Sequence, residues 1–305
     1  MNPHNKKILI LVGKITEKND KLARLISGFI DPGIEIKMDV FSNLSFDLEQ
    51  GSVTVKVSGI NIKNFDLVYI RSVDAGLSFL AGVLALSLDH LHIKYLDKKF
   101  INSRATTDKL TSLLILGLND FPIIPTFFCS KEKLMENVDY IVEKFGYPVV
   151  AKELISHHSK GLFVLREEGD FQKLIENVDL KKSGQFLFQK YIPLTEEYRL
   201  LVLGSSVRSV QKMYRDLSGS KSNIDYDRKE EFIDVNQIPQ KERELAVLSA
   251  KALNLQVAGV DLLTAKKDLQ TFVIEVNGTP GFTYDTDLSP EILELSRYLE
   301  EEVKL

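Results

Sequence analysis

Two stretches near the end of the 305-residue chain carry the side chains best suited to chemistry: Gly259-Val260-Asp261-Leu262-Leu263 and, after a seven-residue connection, Thr271-Phe272-Val273-Ile274-Glu275-Val276-Asn277-Gly278-Thr279-Pro280-Gly281. They read as an antiparallel hairpin. Side chains alternate across a strand, so the spacing predicts Glu275 and Asn277 on one face with Val273, and Phe272, Ile274 and Val276 packed on the other. Asp261 on the neighbouring strand is expected to join the first group. Two carboxylates and an amide oxygen form a hard, anionic, all-oxygen set. Such a set suits magnesium held jointly by protein and nucleotide phosphates, and suits zinc or copper poorly. A solvated sheet face would carry the same residue types. The Asn277-Gly278-Thr279-Pro280-Gly281 loop favours function, because it brings backbone close to whatever sits there.

Other charges are less distinctive. Lys109 lies on a predicted helix and Lys152 closes an apolar strand, where a buried ammonium needs an anion such as phosphate; taken alone, each position fits a snorkelling surface lysine better. Thr195-Glu196-Glu197-Tyr198-Arg199, and the group Lys212, Arg215, Lys221 and Asn223, read by themselves as solvated charges. Adjacent His157 and His158 point apart on an extended chain and are expected to face solvent. The single Cys129, in the strand-like run Thr126 to Cys129, reads as an inert buried thiol in a reducing compartment.

These residues need a scaffold. With 44% hydrophobic and 27% charged residues the chain has the composition of a folded globular protein. Its formal charge of -4 gives no general attraction for polyanions, so neither nucleic acid nor a membrane surface is expected as partner. The early apolar run, Ile8 to Val12, is too short for a signal segment or a span, which predicts a cytoplasmic protein. Strand and helix signals alternate up to about Lys99, implying a parallel sheet with helices on its faces, and Ser52 to Val57 has the period of a half-exposed hairpin strand. Neither a G-x-G-x-x-G turn nor a Walker A loop is present. The middle segment reads β-loop-β-α after two helices, the second stopped by Gly146 and Pro148. Strands then dominate until a helix at Leu245 to Leu255. A tail helix is expected from Ser289-Pro290-Glu291, with Ser as cap and Pro at its first position.

Taken in order, six segments from about Asn102 to Phe282 resemble the ATP-grasp superfamily, and most closely its RimK-like branch of carboxylate-amine ligases. Asp108-Lys109-Leu110 and Pro148-Val149-Val150-Ala151-Lys152 resemble that family's two nucleotide-binding lysine segments. Gln189-Lys190-Tyr191-Ile192 resembles the hinge whose backbone reads adenine, Glu197-Tyr198-Arg199 an acidic-x-Arg motif, and Lys221-Ser222-Asn223 its Arg-Ser-Asn. The resemblance implies Asp261, Glu275 and Asn277 as Mg ligands, Glu197 on the ribose hydroxyls, and Arg199, Lys212 and Asn223 near the transferred phosphate or substrate. Lys221 would approach phosphate. The loop Ser156 to Gly161 departs from the family's glycine-rich pattern, so Ser159 and Lys160 are expected to contact phosphate there.

The fold implied is α/β, becoming α+β toward the C-terminus. It comprises an N-terminal pre-ATP-grasp α/β domain (1–98), a small central domain with the lid (99–190) and a C-terminal antiparallel-sheet core with the metal site (191–305). ATP and Mg2+ are the implied cofactors, with two ions expected and Mn2+ as a substitute. The implied partners are a carboxylate substrate and an amine acceptor (amino acid, peptide or protein tail), in a homo-oligomer, dimer or tetramer. The implied reaction is amide formation through an acyl phosphate, with a glutamate-like amino acid as one substrate. Two other functions fit the same resemblance: a peptide-modifying enzyme closing ester or amide crosslinks in a ribosomal precursor, and a nucleotide-binding regulator without turnover. Arg71 and Asp74, at a strand end of the first domain, are candidates for acceptor contact.

Overall fold

The computed structural model describes residues 5–73, 75–102, 108–154, 161–177, 185–214 and 229–305. The chain begins with β1 (Lys6–Val12), α1 (Glu17–Phe29), β2 (Ile34–Val40), the short strands β3 (Leu44–Glu49), β4 (Ser52–Val57) and β5 (Ile60–Asn61), then β6 (Leu67–Ile70), α2 (Ser78–His90) and β7 (Lys94–Leu96). β1 is apolar on both faces because both faces are covered. Ile8, Ile10 and Val12 pack with Leu22 and Ile26 of α1, while Leu9 and Leu11 pack with Ala81, Leu84 and Leu88 of α2. The first sheet is parallel, in the order β2-β1-β6-β7, and β3-β4-β5 form a separate antiparallel sheet that includes the expected hairpin strand. α1 starts where the Thr16 hydroxyl accepts the Asn19 N–H at 3.2 Å, an N-cap that satisfies a donor the helix itself cannot.

Then come α3 (Lys109–Leu118), β8 (Thr126–Cys129), α4 (Val138–Phe145), β9 (Val149–Glu153), β10 (Leu162–Leu165), α5 (Glu168–Asn177) and β11 (Phe186–Lys190). The second sheet is antiparallel in the order β10-β9-β11-β8, and α4 and α5 bury Val138, Ile141, Phe145, Phe171 and Leu174 against it. α4 stops at Gly146, whose φ of 68° is a conformation L side chains rarely adopt. Cys129 sits on β8, and burial pushes its thiol up and away from reactivity.

The last part holds β12 (Leu194–Leu203), β13 (Ser206–Tyr214), β14 (Lys229–Ile233), α6 (Gln240–Ala252), β15 (Val257–Ala265), β16 (Thr271–Asn277) and α7 (Glu291–Lys304). Its antiparallel sheet runs β14-β13-β12-β15-β16. α6 covers one face, packing Ala246 and Ala250 on Leu200, Val202, Val260, Leu262 and Val276. On the other face Leu201, Leu203 and Val257 meet the first sheet through α7, whose Ile292, Leu295 and Leu299 share one cluster with Ile8 and Ile10. The last helix of the chain thus covers its first sheet. Burial of each such side chain contributes about 1.5–3 kcal/mol. α7 begins one residue later than expected: Pro290 is the cap position, and Ser289 Oγ accepts the Glu291 N–H from outside the helix. No helix among the described residues is long and apolar enough to cross a membrane.

Candidate active site

The C-terminal sheet sets three of the site residues by register. Arg199 on β12 lies opposite Asp261 on β15, and Asp261 lies opposite Glu275 on β16. Directly opposed residues share a face, so Arg199, Asp261 and Glu275 form a row across three strands, with Asn277 two residues along β16. Asp261 is 4% exposed. Arg199 grips it bidentately, Nε donating to Oδ1 and Nη2 to Oδ2, both at 2.7 Å. The Asp261 carboxylate, and less so Glu275, raises the Arg199 guanidinium's affinity for its proton against the effect of burial. Without Arg199 two carboxylates would oppose each other across a strand pair, an arrangement that repels unless a cation intervenes.

A β-bulge alters the expected faces of β16. Pairing passes from Asp261↔Glu275 to Leu262↔Val273, leaving Ile274 as the extra residue. Val273 therefore packs under α6 with Leu262 and Val276, while Ile274 joins Leu263 on the site's side of the sheet. Glu275 and Asn277 share their face with Ile274 rather than with Val273, because a bulge places two residues opposite one and shifts the alternation downstream by one.

Lys212 is not where the resemblance would put it. Its register partner is Tyr198, between the two site-facing residues Glu197 and Arg199, so its side chain leaves the sheet on the α6 side. There Nζ donates to Glu196 Oε1 at 3.0 Å and lies 5.7 Å from the ring centres of Tyr198 and Tyr214. The neighbouring Gln211, opposite Arg199, occupies the site face instead, and its amide donates to Glu230 Oε2 at 2.7 Å. Strict alternation from Arg199 through the β12–β13 pairing is the signal that would have found Gln211. Glu197 lies on Arg199's face and is wholly buried. Ser159, Lys221 and Asn223 lie outside the described residues, as do Lys160, His157, His158 and Asp74.

Beside this row a narrow cleft opens between the second and third sheets, lined by Val150, Lys152, Gln189, Lys190, Tyr191, Ile192, Leu263 and Ile274 among others. Five residues expected at a nucleotide thus meet in one cavity. Gln189 donates to Thr126 Oγ1 at 2.8 Å, and its buried Oε1 has no acceptor role filled by a hydrogen bond among the described residues. The Lys190 N–H is engaged by the Pro125 carbonyl at 3.3 Å. Lys109 opens α3 behind the Asp108 cap and donates to the carbonyl of Glu153, the residue after Lys152.

The loop after Asn277 is tied from both sides. Asn277 Oδ1 accepts the Thr279 N–H at 2.9 Å, and the Thr279 hydroxyl donates to the Arg71 carbonyl at 3.0 Å. Arg71, at the end of β6, donates to the Pro280 carbonyl at 3.1 Å and stacks its guanidinium 4.5 Å from the Phe282 ring centre. Further along, buried Glu291 accepts the Thr283 N–H and the Ser289 hydroxyl, with burial pushing its carboxyl up. Sequence patterning missed Glu291, since nothing local distinguishes it from a first-turn helix carboxylate.

The donor set fits a hard cation. Asp261 and Glu275 face each other, an amide oxygen lies on the same strand, and Arg199 already supplies positive charge there. Among the described residues no group of three His, Cys, Asp or Glu side chains stands ready to enclose an ion. Mg2+ leans on one or two carboxylates and the substrate's phosphates, so two carboxylates with an amide oxygen suffice for it.

Comparison with known proteins agrees with this architecture. A family model described as a RimK-like ATP-grasp domain matches residues 106–294. A probable alpha-L-glutamate ligase of Pseudoalteromonas translucida is 28% identical over 277 residues, covering 88% of this chain and 87% of that protein. The ATP-grasp ligase PsnB, solved with a phosphomimetic variant of its minimal precursor, Mg and ADP, superposes with a TM-score of 0.71 at 15% identity, covering 98% of this chain and 99% of that one. D-alanyl-alanine synthetase A from Vibrio cholerae gives 0.64 at 17% identity, covering 99% and 98%. At such identities the two structures speak for the fold, which is the one expected from sequence.

Proposed function

The chain belongs to the RimK-like ATP-grasp family of ATP-dependent ligases, and from that premise we propose that it joins a carboxylate to an amine through an acyl phosphate, with a glutamate-like amino acid as one substrate. The observation that carries the reading is the row Arg199, Asp261, Glu275 and Asn277 standing beside a cleft lined by Lys152, Gln189 and Tyr191. A nucleotide whose base enters the cleft would direct its phosphates toward that row. The substrate carboxylate attacks the γ-phosphorus and ADP leaves; the amine then adds to the acyl carbon, and inorganic phosphate departs as the amide forms and the nitrogen loses its proton.

In such a reaction the protein contributes position and fixed charge rather than a nucleophile. Lys109 and Lys152, close together at the end of β9, neutralise phosphate oxygens. Arg199, anchored by Asp261, keeps Nη1 outside that bidentate grip and turns it toward transferred phosphate or substrate. Glu197 is assigned to the ribose, and Lys190 to Ile192 to the base edge. Mg2+ on Asp261, Glu275, Asn277 and the nucleotide would withdraw charge from the phosphates, as two ions that Mn2+ can replace. Three units (1–98, 99–190 and 191–305), a cytoplasmic location and a dimeric or tetrameric state belong to the same proposal.

The superposition on PsnB, solved with its precursor, favours one further reading: a peptide substrate, with the bond closed within a ribosomal precursor. Only the acceptor differs. Mg-dependent ADP release should be measured across amino acids, dipeptides and a cell extract freed of small molecules, beside Glu275→Gln. Release stimulated by one acceptor and lost in the variant supports the ligase and names its substrate. Release in Glu275→Gln equal to wild type removes this site from the reading, and a protein that binds ATP yet stays silent with every acceptor and the extract is the regulator.

A further inference from the structure

The side of the site facing the first sheet holds a charge arrangement that the reaction above does not use. β6 and β7 are parallel neighbours, and ligands of open α/β sheets bind beyond the carboxyl ends of such strands. Beyond these two ends stand Arg71, Asp97 and Lys99, all buried. Asp97 has φ 69°, and its Oδ1 accepts the N–H groups of Gln256 and Val257, each at 3.1 Å, which fastens β7 to the start of β15. Its Oδ2 is buried without a hydrogen bond among the described residues. Arg71 is occupied by Tyr69, Pro280 and the Phe282 ring.

Lys99 is different. It is 8% exposed, and among the described residues its ammonium meets no hydrogen-bond acceptor and no carboxylate within ion-pair distance; the Phe100 ring, 4.9 Å away, is its one polarisable neighbour. Burial pushes the ammonium's pKa down, and the more distant Asp97 only partly opposes this. Two cations against one carboxylate leave this buried cluster with a formal surplus of one positive charge.

The ammonium is aimed at the loop after Asn277. A Cβ built on Gly278 would lie 2.6 Å from Lys99 Nζ, so the glycine next to Asn277 is what leaves the lysine its place. Arg71 holds Pro280 of the same loop. A substrate entering beside Asn277 therefore meets a buried cation that no described residue pairs. Burying a lone ammonium is strongly unfavourable, and an anionic oxygen delivered by substrate is its natural complement.

We propose that Lys99 is a specificity-determining residue that binds a spectator carboxylate of the substrate, one that is neither phosphorylated nor joined to the amine. The spectator role follows from chemistry: a tight ion pair with the attacking carboxylate would quench its nucleophilicity, whereas a non-reacting carboxylate gains affinity and orientation from the same contact. The substrate class is then an amino acid or peptide with a free carboxylate besides the reacting group. This rests on the ligase reading for its kinetic arm but not for its binding arm.

The test uses the full-length protein loaded with Mg-ADP and Lys99→Met, which conserves volume and removes charge. Calorimetric titration with L-glutamate, its two monoamides and succinate is expected to show wild-type binding of L-glutamate weakened at least tenfold by Lys99→Met. One monoamide should bind wild type as weakly and show no further loss in the variant, as expected when both changes delete one interaction. In turnover, KM for the carboxylate substrate should rise with kcat and the KM for ATP within twofold, and Lys99→Met should melt no lower than wild type. Lys99→Arg, which keeps the charge, should recover part of the binding and serves if the methionine variant fails to fold. Equal losses for L-glutamate and both monoamides, a fall in kcat alone, or no binding of any of these carboxylates to wild type overturns the proposal. Wild type that binds L-glutamate through Lys99 yet releases no ADP would instead sink the ligase reading and leave this one standing.

Discussion

Two cations flank the candidate site, Arg199 half-buried and Lys99 buried, and the molecule treats them oppositely. Arg199 is locked by two 2.7 Å hydrogen bonds to Asp261, whereas Lys99 faces Gly278 with no acceptor among the described residues. A paired guanidinium belongs to the framework: removing it leaves a buried carboxylate uncompensated. An unpaired ammonium is a burden on the free protein that only a ligand relieves. Electrostatic completeness thus separates what holds the site together from what is left for the substrate to complete.

The comparison breaks most visibly at Arg199. Arg199→Met should lower stability by about 3 kcal/mol, because it leaves the buried Asp261 carboxylate uncompensated, measured by urea unfolding. Lys99→Met should do the reverse or nothing, and a similar loss in both variants would erase the distinction. Glu275→Gln should cost at least about 100-fold in acceptor-stimulated ADP release, since it touches charge at the transferring group, with little change in melting because Glu275 has water access. A parallel fall in stability and rate would make Glu275 a framework residue.

Asp97 sharpens the same contrast through pH. Burial pushes its carboxyl up to about 6, with Lys99 and Arg71 pulling the other way and Tyr69 and Tyr298 nearby. A folded state that holds its proton more tightly than the unfolded chain loses stability as pH rises from about 4 through 6. Asp97→Asn, which still accepts the Gln256 and Val257 N–H groups, should remove that slope. The difference between variant and wild type across this window should approach about 2–3 kcal/mol, and parallel stability curves would refute it. The smallest effect belongs to Lys212→Met, on the far side of the sheet: under about 1 kcal/mol of stability, as for a partly exposed ion pair, and ADP release equal to wild type. A large loss of activity there would return Lys212 to the site.

Much of the site was legible because its signals are local. Asp261, Glu275 and Asn277 lie on two adjacent strands of one hairpin, and an apolar run such as Ile8 to Val12 reads as a doubly covered strand whatever covers it. Lys152, Gln189 and Lys190 sit on paired strands of one sheet, and Tyr191 and Ile192 follow directly after the second. Lys212 misled because motif likeness tolerates a slip of one residue, whereas a strand does not: one step along β13 exchanges the site face for the α6 face. The bulge at Ile274 escaped alternation for the same reason.

The amino-acid order alone determined the family, most of the strand and helix pattern and the hairpin that carries Asp261, Glu275 and Asn277, since each depends on residues near in sequence and on periodicities that backbone geometry imposes. Tertiary structure decided the rest. α7 closes over β1 across almost the whole chain, Arg199 finds Asp261 62 positions away, and Lys99 comes to rest against Gly278. Such meetings depend on how sheets stack and where loops cross, and charge balance at a buried point is a sum over neighbours that no local pattern encodes.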